Sequence, residues 1–183
     1  IFTSQNYEVN LEDANGRAVW ALGYVASRCS ILPEKFSSDA FSMLQNRLVS
    51  VESIHSTRAM AFIIKGLYYK TTTYSDKNDL KLIRLFANRL VQMYLHETDS
   101  NWHWFEGYLT YANSLLPEAL LCAWLATGNV KYKEIARKSF DFLLSKIFRG
   151  NRIAVISNKK WLHDRSAAAE VTTGGEQPID VAY

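Results

Sequence analysis

Apolar residues recur along this chain at intervals of three and four, the spacing of amphipathic helices, through six successive stretches. Residues 12–28 (EDANGRAVWALGYVASR) carry Ala18, Trp20, Ala21, Leu22, Val25 and Ala26 as a broad buried face. Pro33 in SILPEKF suits a first helical turn, and residues 37–50 follow with Phe41, Leu44, Leu48 and Val49 set among polar residues. Residues 56–72 (STRAMAFIIKGLYYKTT) are apolar on most sides. Residues 79–96 put Leu82, Ile83, Phe86, Leu90, Val91 and Tyr94 on one stripe, with Lys81, Arg84 and Arg89 opposite. The fifth stretch, PEALLCAWLAT, opens at Pro117 and stops at Gly128. The sixth, residues 130–148, is amphipathic through Tyr132, Ile135, Ala136, Phe140, Leu143 and Phe148. The pattern then lapses. RIAVIS reads as one short strand, NKKWLHDRSAAAEVTTGGE as loop, and PIDVAY as the start of a seventh helix.

Helices one, three and five are rich in Ala, Gly and aromatics, whereas two, four and six are amphipathic. Such alternation is expected of inner and outer helices, because an inner helix is covered on several sides and an outer one keeps a wet face. The expected fold class is all-α: stacked helical hairpins in a single domain over residues 1–183, curved toward a ring. No consensus helical repeat is present. The connections entering odd helices carry the unusual residues: LEDANGR, SIHSTR, NWHWFEGYLTYANSL and GGEQPID. With the odd helices parallel, these segments meet on one rim, where helix N-termini supply amide donors and partial positive charge for hydroxyls, carboxylates or phosphates.

Composition narrows the classes. Hydrophobic residues make up 48% of 183 residues and charged residues 21%, a globular balance, and the net charge of +3 is dispersed. No basic stripe for nucleic acid emerges. No apolar run reaches the roughly 18 residues of a membrane span. Cys29 and Cys122 lie far apart within helical patterns, as buried free thiols would, and a reducing cytoplasm is the expected setting. No signal peptide is visible, and because the chain starts at Ile1 an upstream segment is expected. No histidine pair has ligand spacing with a third ligand nearby, and neither GxGxxG nor a Walker loop occurs, so no metal or cofactor is assigned.

The densest chemistry lies in NWHWFEGYLTYANSLLPEALL. Trp102, Trp104 and Tyr111 offer aromatic faces of the kind that stack on sugar rings, with carboxylates and amides beside them for hydroxyls. Glu106, next to Phe105 and near Trp104, is expected in a partly apolar setting that suits a general acid. Asp13 opens the first helix, and Arg17 follows one turn later on the same face, placed to hold Asp13 or a sugar carboxylate or phosphate. Asp180 and Gln177 open the seventh helix; Glu106 facing Asp180 would supply the paired acids of glycoside cleavage. Asn113 and Glu118 flank the start of the fifth helix as further binding candidates. His55 and His103 precede odd helices and support a second chemistry, proton transfer at a sugar carbon as in epimerases. Each of these residues also has a purely structural reading, as a helix-terminal acid, a buried hydrogen-bonded side chain or core packing, and a helical interaction module without catalysis is the third reading.

The segments EDANGRAVWALG, SIHSTRAMAFIIKGL, WHWFEGYLTYANSLLPEALLCAWLATGN and GGEQPIDVAY resemble the helical region C-terminal to bacterial glycosyltransferases, also found as stand-alone glycosyltransferase-like proteins. That region is in turn similar to the (α/α)6 toroid of six-hairpin glycosidases and N-acylglucosamine 2-epimerases. The resemblance spans essentially the whole chain through Asp13, Gly16, Arg17, Trp20, Gly23, Trp102, Trp104, Glu106, Tyr111, Asn113, Pro117, Gln177, Pro178 and Asp180. It departs at Glu176, where the family has an amide, and the acid expected before it is missing. It implies a glycan or small sugar as ligand and a glycosyltransferase domain elsewhere in the full chain. About a dozen helices close such a ring and roughly half are here, so more of the same chain or a second copy completes it.

Overall fold

The computed structural model describes residues 10–156 and 161–163. Within them lie helices α1 (Glu12–Ala26), α2 (Glu34–Leu48), α3 (Thr57–Thr71), α4 (Lys77–Glu97), α5 (Leu115–Thr127) and α6 (Val130–Ile147), with four two-residue strands. The stretch expected to open a seventh helix, with Glu176, Gln177 and Asp180, lies outside the described residues.

Helix boundaries follow local chemistry. The side chains of Ser56, Asp76 and Asn129 accept from the first-turn amides of α3, α4 and α6. Pro33 stands one residue before α2, so that helix starts at Glu34, earlier than the apolar spacing indicates. Gly128, at φ 72°, closes α5 with its amide on the Trp124 carbonyl, the left-handed stop that only glycine adopts without strain. α6 ends at Ile147: Phe148–Arg149 (β2) pairs antiparallel with Arg152–Ile153 (β3). Among the described residues of RIAVIS only these two are therefore strand. A second ladder joins Tyr108–Leu109 (β1) to Leu162–His163 (β4), inside a segment whose sequence reads as loop.

α3 is the central element, packed between α1 and α5, with α2 against α1, α4 against α3 and α5, and α6 against α5. The three odd helices are parallel. At one end Glu12 reaches the amides of His55 and Ser56, and just past the other end of both helices the Thr73 hydroxyl donates to the Ser27 carbonyl. On the opposite side of α3, Arg58 meets Tyr111 and, two turns later, Lys65 meets Glu118. The N-terminal ends of α1, α3 and α5 thus lie at one rim.

The α1–α3 seam is a backbone contact. A Cβ added at Gly23 would lie 2.1 Å from the Gly66 carbonyl oxygen, and one at Gly16 would lie 2.7 Å from the Ala59 Cα. This rotates α1 away from its expected face. Gly16, Val19, Gly23 and Ala26 are buried, while Ala18 and Ala21 are exposed, because close approach selects the smallest residues and not the most apolar. Of the sixth stretch, the expected core residues Phe140 and Phe148 are exposed, and Ser139 and Phe142 take inner positions in α6. Val49 is exposed beyond α2 as well.

α3 also buries three cations, each matched by an acid. Arg58 meets Glu106, Lys65 meets Glu118 at 2.7 Å, and Lys70 lies 3.0 and 2.7 Å from the two oxygens of Asp79. Burial raises the Asp79 carboxyl above its ordinary range, and Lys70 partly offsets this. Cys122 is a buried free thiol pushed up to about 12 by burial, whereas Cys29, expected inside, is exposed. Among the described residues no helix is long and apolar enough to cross a membrane.

Candidate functional site at the parallel rim

A cavity of about 310 Å³ opens at this rim, with walls from His55, Ser56, Thr57, Arg58, Glu106, Tyr108, Thr110, Tyr111 and Trp161. Three sources build it: the cap and first turn of α3, the loop before α5, and the segment around β4. Its volume is at the lower end for small-molecule sites.

Arg58 organises the wall. Its Nη1 donates to both oxygens of Glu106 at 3.2 and 2.9 Å, its Nε to the Tyr111 carbonyl at 2.9 Å, and its Nη2 to Thr110 Oγ1. The guanidinium is 4.9 Å from the Tyr111 ring centre. Thr57 Oγ1 donates to Glu106 at 2.8 Å. Glu106 therefore meets a cation and a hydroxyl, in place of the partly apolar setting expected from Phe105 and Trp104. Donors converge on it, the arrangement of a carboxylate held as an acceptor.

Asp13 is less tightly held. Tyr111 donates its hydroxyl to Asp13 Oδ2 at 3.1 Å, Ser56 Oγ lies 3.4 Å from Oδ1, and Arg17 Nη2 is 3.5 Å away. About a third of the Asp13 side chain is exposed, and Arg17 lies over the Phe62 ring at 4.5 Å. Burial raises the Tyr111 phenol, and the negative charge of Asp13 adds to it. Burial likewise raises Tyr108, with Glu106 contributing.

Glu12 acts across helices. Its Oε2 accepts from the His55 amide at 3.0 Å and the Ser56 amide at 2.5 Å, so an acid of α1 caps α3 alongside Ser56.

The exposed aromatic surface differs from the expected one. Trp102 and Trp104 are 3% and 0% exposed and belong to the core. Trp102 Nε1 donates to the Glu106 carbonyl at 2.7 Å, and its ring packs edge-on against Phe142; Trp104 packs against Phe105. They shape the loop from behind and present no face to the cavity. Tyr108 and Trp161 take that place, stacked at 5.2 Å and 29°. Trp161 is 47% exposed, and its one sequence signal is a lone tryptophan in the polar NKKWLHD stretch.

The remaining candidates divide. His55 lines the cavity, but His103 lies against Phe142 and is absent from the wall, so the two histidines do not form a facing pair there. Asn113 clips its own turn: its Oδ1 accepts from the Thr110 amide and its Nδ2 donates to the Thr110 carbonyl. Ala112, at φ 48°, sits within that turn. Glu118 pairs with Lys65 and borders a separate groove between α5 and α6. Among the described residues no group of three His, Cys, Asp or Glu is placed to hold a metal ion.

Compared with protein-family models, curated proteins and solved structures, the chain matches none of them.

Proposed function

We propose that the rim cavity is a carbohydrate site and that the chain forms part of an (α/α) toroid in a glycosyltransferase-like protein. The observation that carries this reading is the stacked Tyr108–Trp161 pair on the same wall as Glu106, Thr110 and Tyr111. Aromatic faces cover the C–H faces of a sugar ring, while carboxylates and hydroxyls at its edge accept and donate to ring hydroxyls. The parallel inner helices, each backed by an outer one, are the arrangement that a hairpin ring repeats.

Within this reading the two described carboxylates take different roles. Asp13, partly exposed and loosely bonded, is the group free to accept a proton, with Tyr111 fixing its orientation. Glu106, locked to Arg58 and Thr57, is a fixed acceptor for a ring hydroxyl and positions the sugar. Asp180 remains the proposed partner acid for bond cleavage, on the resemblance alone.

The test is isothermal titration of the protein with gluco-, manno- and galacto-oligosaccharides, alongside Trp161→Ala and Asp13→Asn. Binding that Trp161→Ala abolishes while the far-ultraviolet circular dichroism stays native supports the site. A protein that binds no saccharide, yet captures a protein partner through a helical face, would instead be an interaction module.

A further inference from the structure

The charge arrangement of the rim restricts what it can hold. Parallel helix N-termini favour anions in general, and arginines add to that. Here the N-terminus of α3 and the guanidinium of Arg58, the two that border the cavity, are already occupied by side chains of the chain itself. Glu12 takes the amides of His55 and Ser56, and the Ser56 hydroxyl takes that of Ala59, so the positive end of α3 is capped from two directions. All three nitrogens of Arg58 donate within the protein, two of its bonds going to Glu106. Arg17 lies over Phe62 beside Asp13.

Among the described residues that line the cavity the one acid, Glu106, is paired with the one guanidinium, Arg58, while Glu12, Asp13 and Arg17 stand next to the wall and not in it. Beyond the effect of burial, which is the larger cause for both phenols of the wall, Asp13 raises Tyr111 against Arg58 and Arg17, and Glu106 and Glu97 raise Tyr108 against Arg58.

We infer that the ligand of this cavity is a neutral, hydroxyl-rich saccharide, and that uronates, sugar phosphates and sugar nucleotides are rejected. The inference rests on the carbohydrate reading of the cavity and adds its charge class. An entering carboxylate or phosphate would meet a carboxylate, Glu106, whose cation is already engaged, and displacing Glu106 from Arg58 would leave a buried acid unpaired. A neutral sugar needs no displacement. Its hydroxyls donate to the Glu106 oxygens, and its ring covers an open face of the Tyr108–Trp161 stack.

The experiment is a fluorescence titration at low ionic strength with matched ligands: neutral gluco- and manno-oligosaccharides, the corresponding uronic acids and the corresponding sugar phosphates. Trp161→Phe serves as the control for the reporting ring. The expected result is saturable binding of a neutral saccharide with the anionic counterparts at least ~10-fold weaker, a gap that narrows as salt screens the rim. Glu12→Gln, which removes one negative charge but keeps an acceptor, should narrow the gap several-fold; if that variant does not fold, the comparison on the native protein still decides. Equal or tighter binding of an anionic sugar overturns this inference and leaves the carbohydrate reading standing. Failure of every saccharide, neutral and anionic, overturns both.

Discussion

The Tyr111 hydroxyl donates to Asp13 Oδ2 at 3.1 Å, joining residues 98 positions apart and tying the loop before α5 to the first turn of α1. The bond exists because α1, α3 and α5 run parallel, so that segments distant in sequence share one rim. Replacing Tyr111 by Phe removes the bond and leaves the ring over Arg58, at a cost of about 1 kcal/mol. Asp13→Asn keeps the shape but not the charge. Circular dichroism should remain native for both, with thermal midpoints lowered by a few degrees at most, while saccharide binding falls for Asp13→Asn. Unchanged binding in Asp13→Asn would remove that carboxylate from the site.

Arg58 should be the least replaceable residue of the wall. Arg58→Met strands Glu106, whose side chain is 10% exposed, and a buried acid that loses its partner costs about 3–5 kcal/mol. Arg58→Lys should recover only part of this, because one ammonium cannot serve Glu106, the Tyr111 carbonyl and Thr110 together. Urea denaturation of the three proteins measures the order native, Lys, Met. Equal stability of Lys and native would mean that only the charge matters.

The α1–α3 seam predicts a contrast between glycines. Gly23→Ala drives a methyl into the Gly66 carbonyl, so the helices must separate, with a loss of about 1–3 kcal/mol or more. Gly128→Ala has open space around it and meets only the strain of φ 72°, about 1–2 kcal/mol. Thermal melts should therefore place Gly23→Ala at or below Gly128→Ala, with its loss accompanied by weaker saccharide binding, because the seam sets the spacing of Asp13 from Ser56. Gly128→Ala, at the far end of α5, should leave binding intact.

Much of the helical architecture is legible in the residues. The stripe of α4 from Ile83 to Tyr94 is buried as its spacing requires, and Gly128 stops α5. The convergence of odd-helix entrances follows from the alternation of apolar and amphipathic helices. What the sequence hides has physical causes. Apolar periodicity measures hydrophobicity, so it misplaces the face of α1, where glycine backbone contact decides. It also cannot distinguish an aromatic that fills the core, such as Trp104, from one that lines a wall, such as Tyr108. Arg58 reads as an ordinary polar residue in the first turn of α3; its role is visible only once Glu106, Thr110 and Tyr111 surround it. Trp161 needs the β1–β4 pairing to bring it alongside Tyr108.

Alkali should weaken the fold through its tyrosines. Burial is the main cause that raises Tyr69, Tyr94, Tyr108, Tyr111 and Tyr132 above the usual phenol value of 10.0. Each holds its proton more tightly folded than unfolded, so its contribution is fully present below the unfolded value and is lost as pH rises through the folded one. Urea midpoints measured from pH 9 to 11.5 should fall, and Tyr111→Phe should shallow the fall. A midpoint that rises over that range would reverse the sign.

The central claim is that an open face of the stacked Tyr108–Trp161 pair carries a sugar ring, beside Glu106. Saturation-transfer difference NMR with neutral oligosaccharides tests it directly. Irradiating aromatic protons of the protein should transfer magnetisation to the ring C–H protons of a bound sugar, and the transfer should vanish in a folded Tyr108→Ala, Trp161→Ala double variant. Transfer that persists undiminished in that variant, or that is absent from the native protein with every oligosaccharide, would contradict the account.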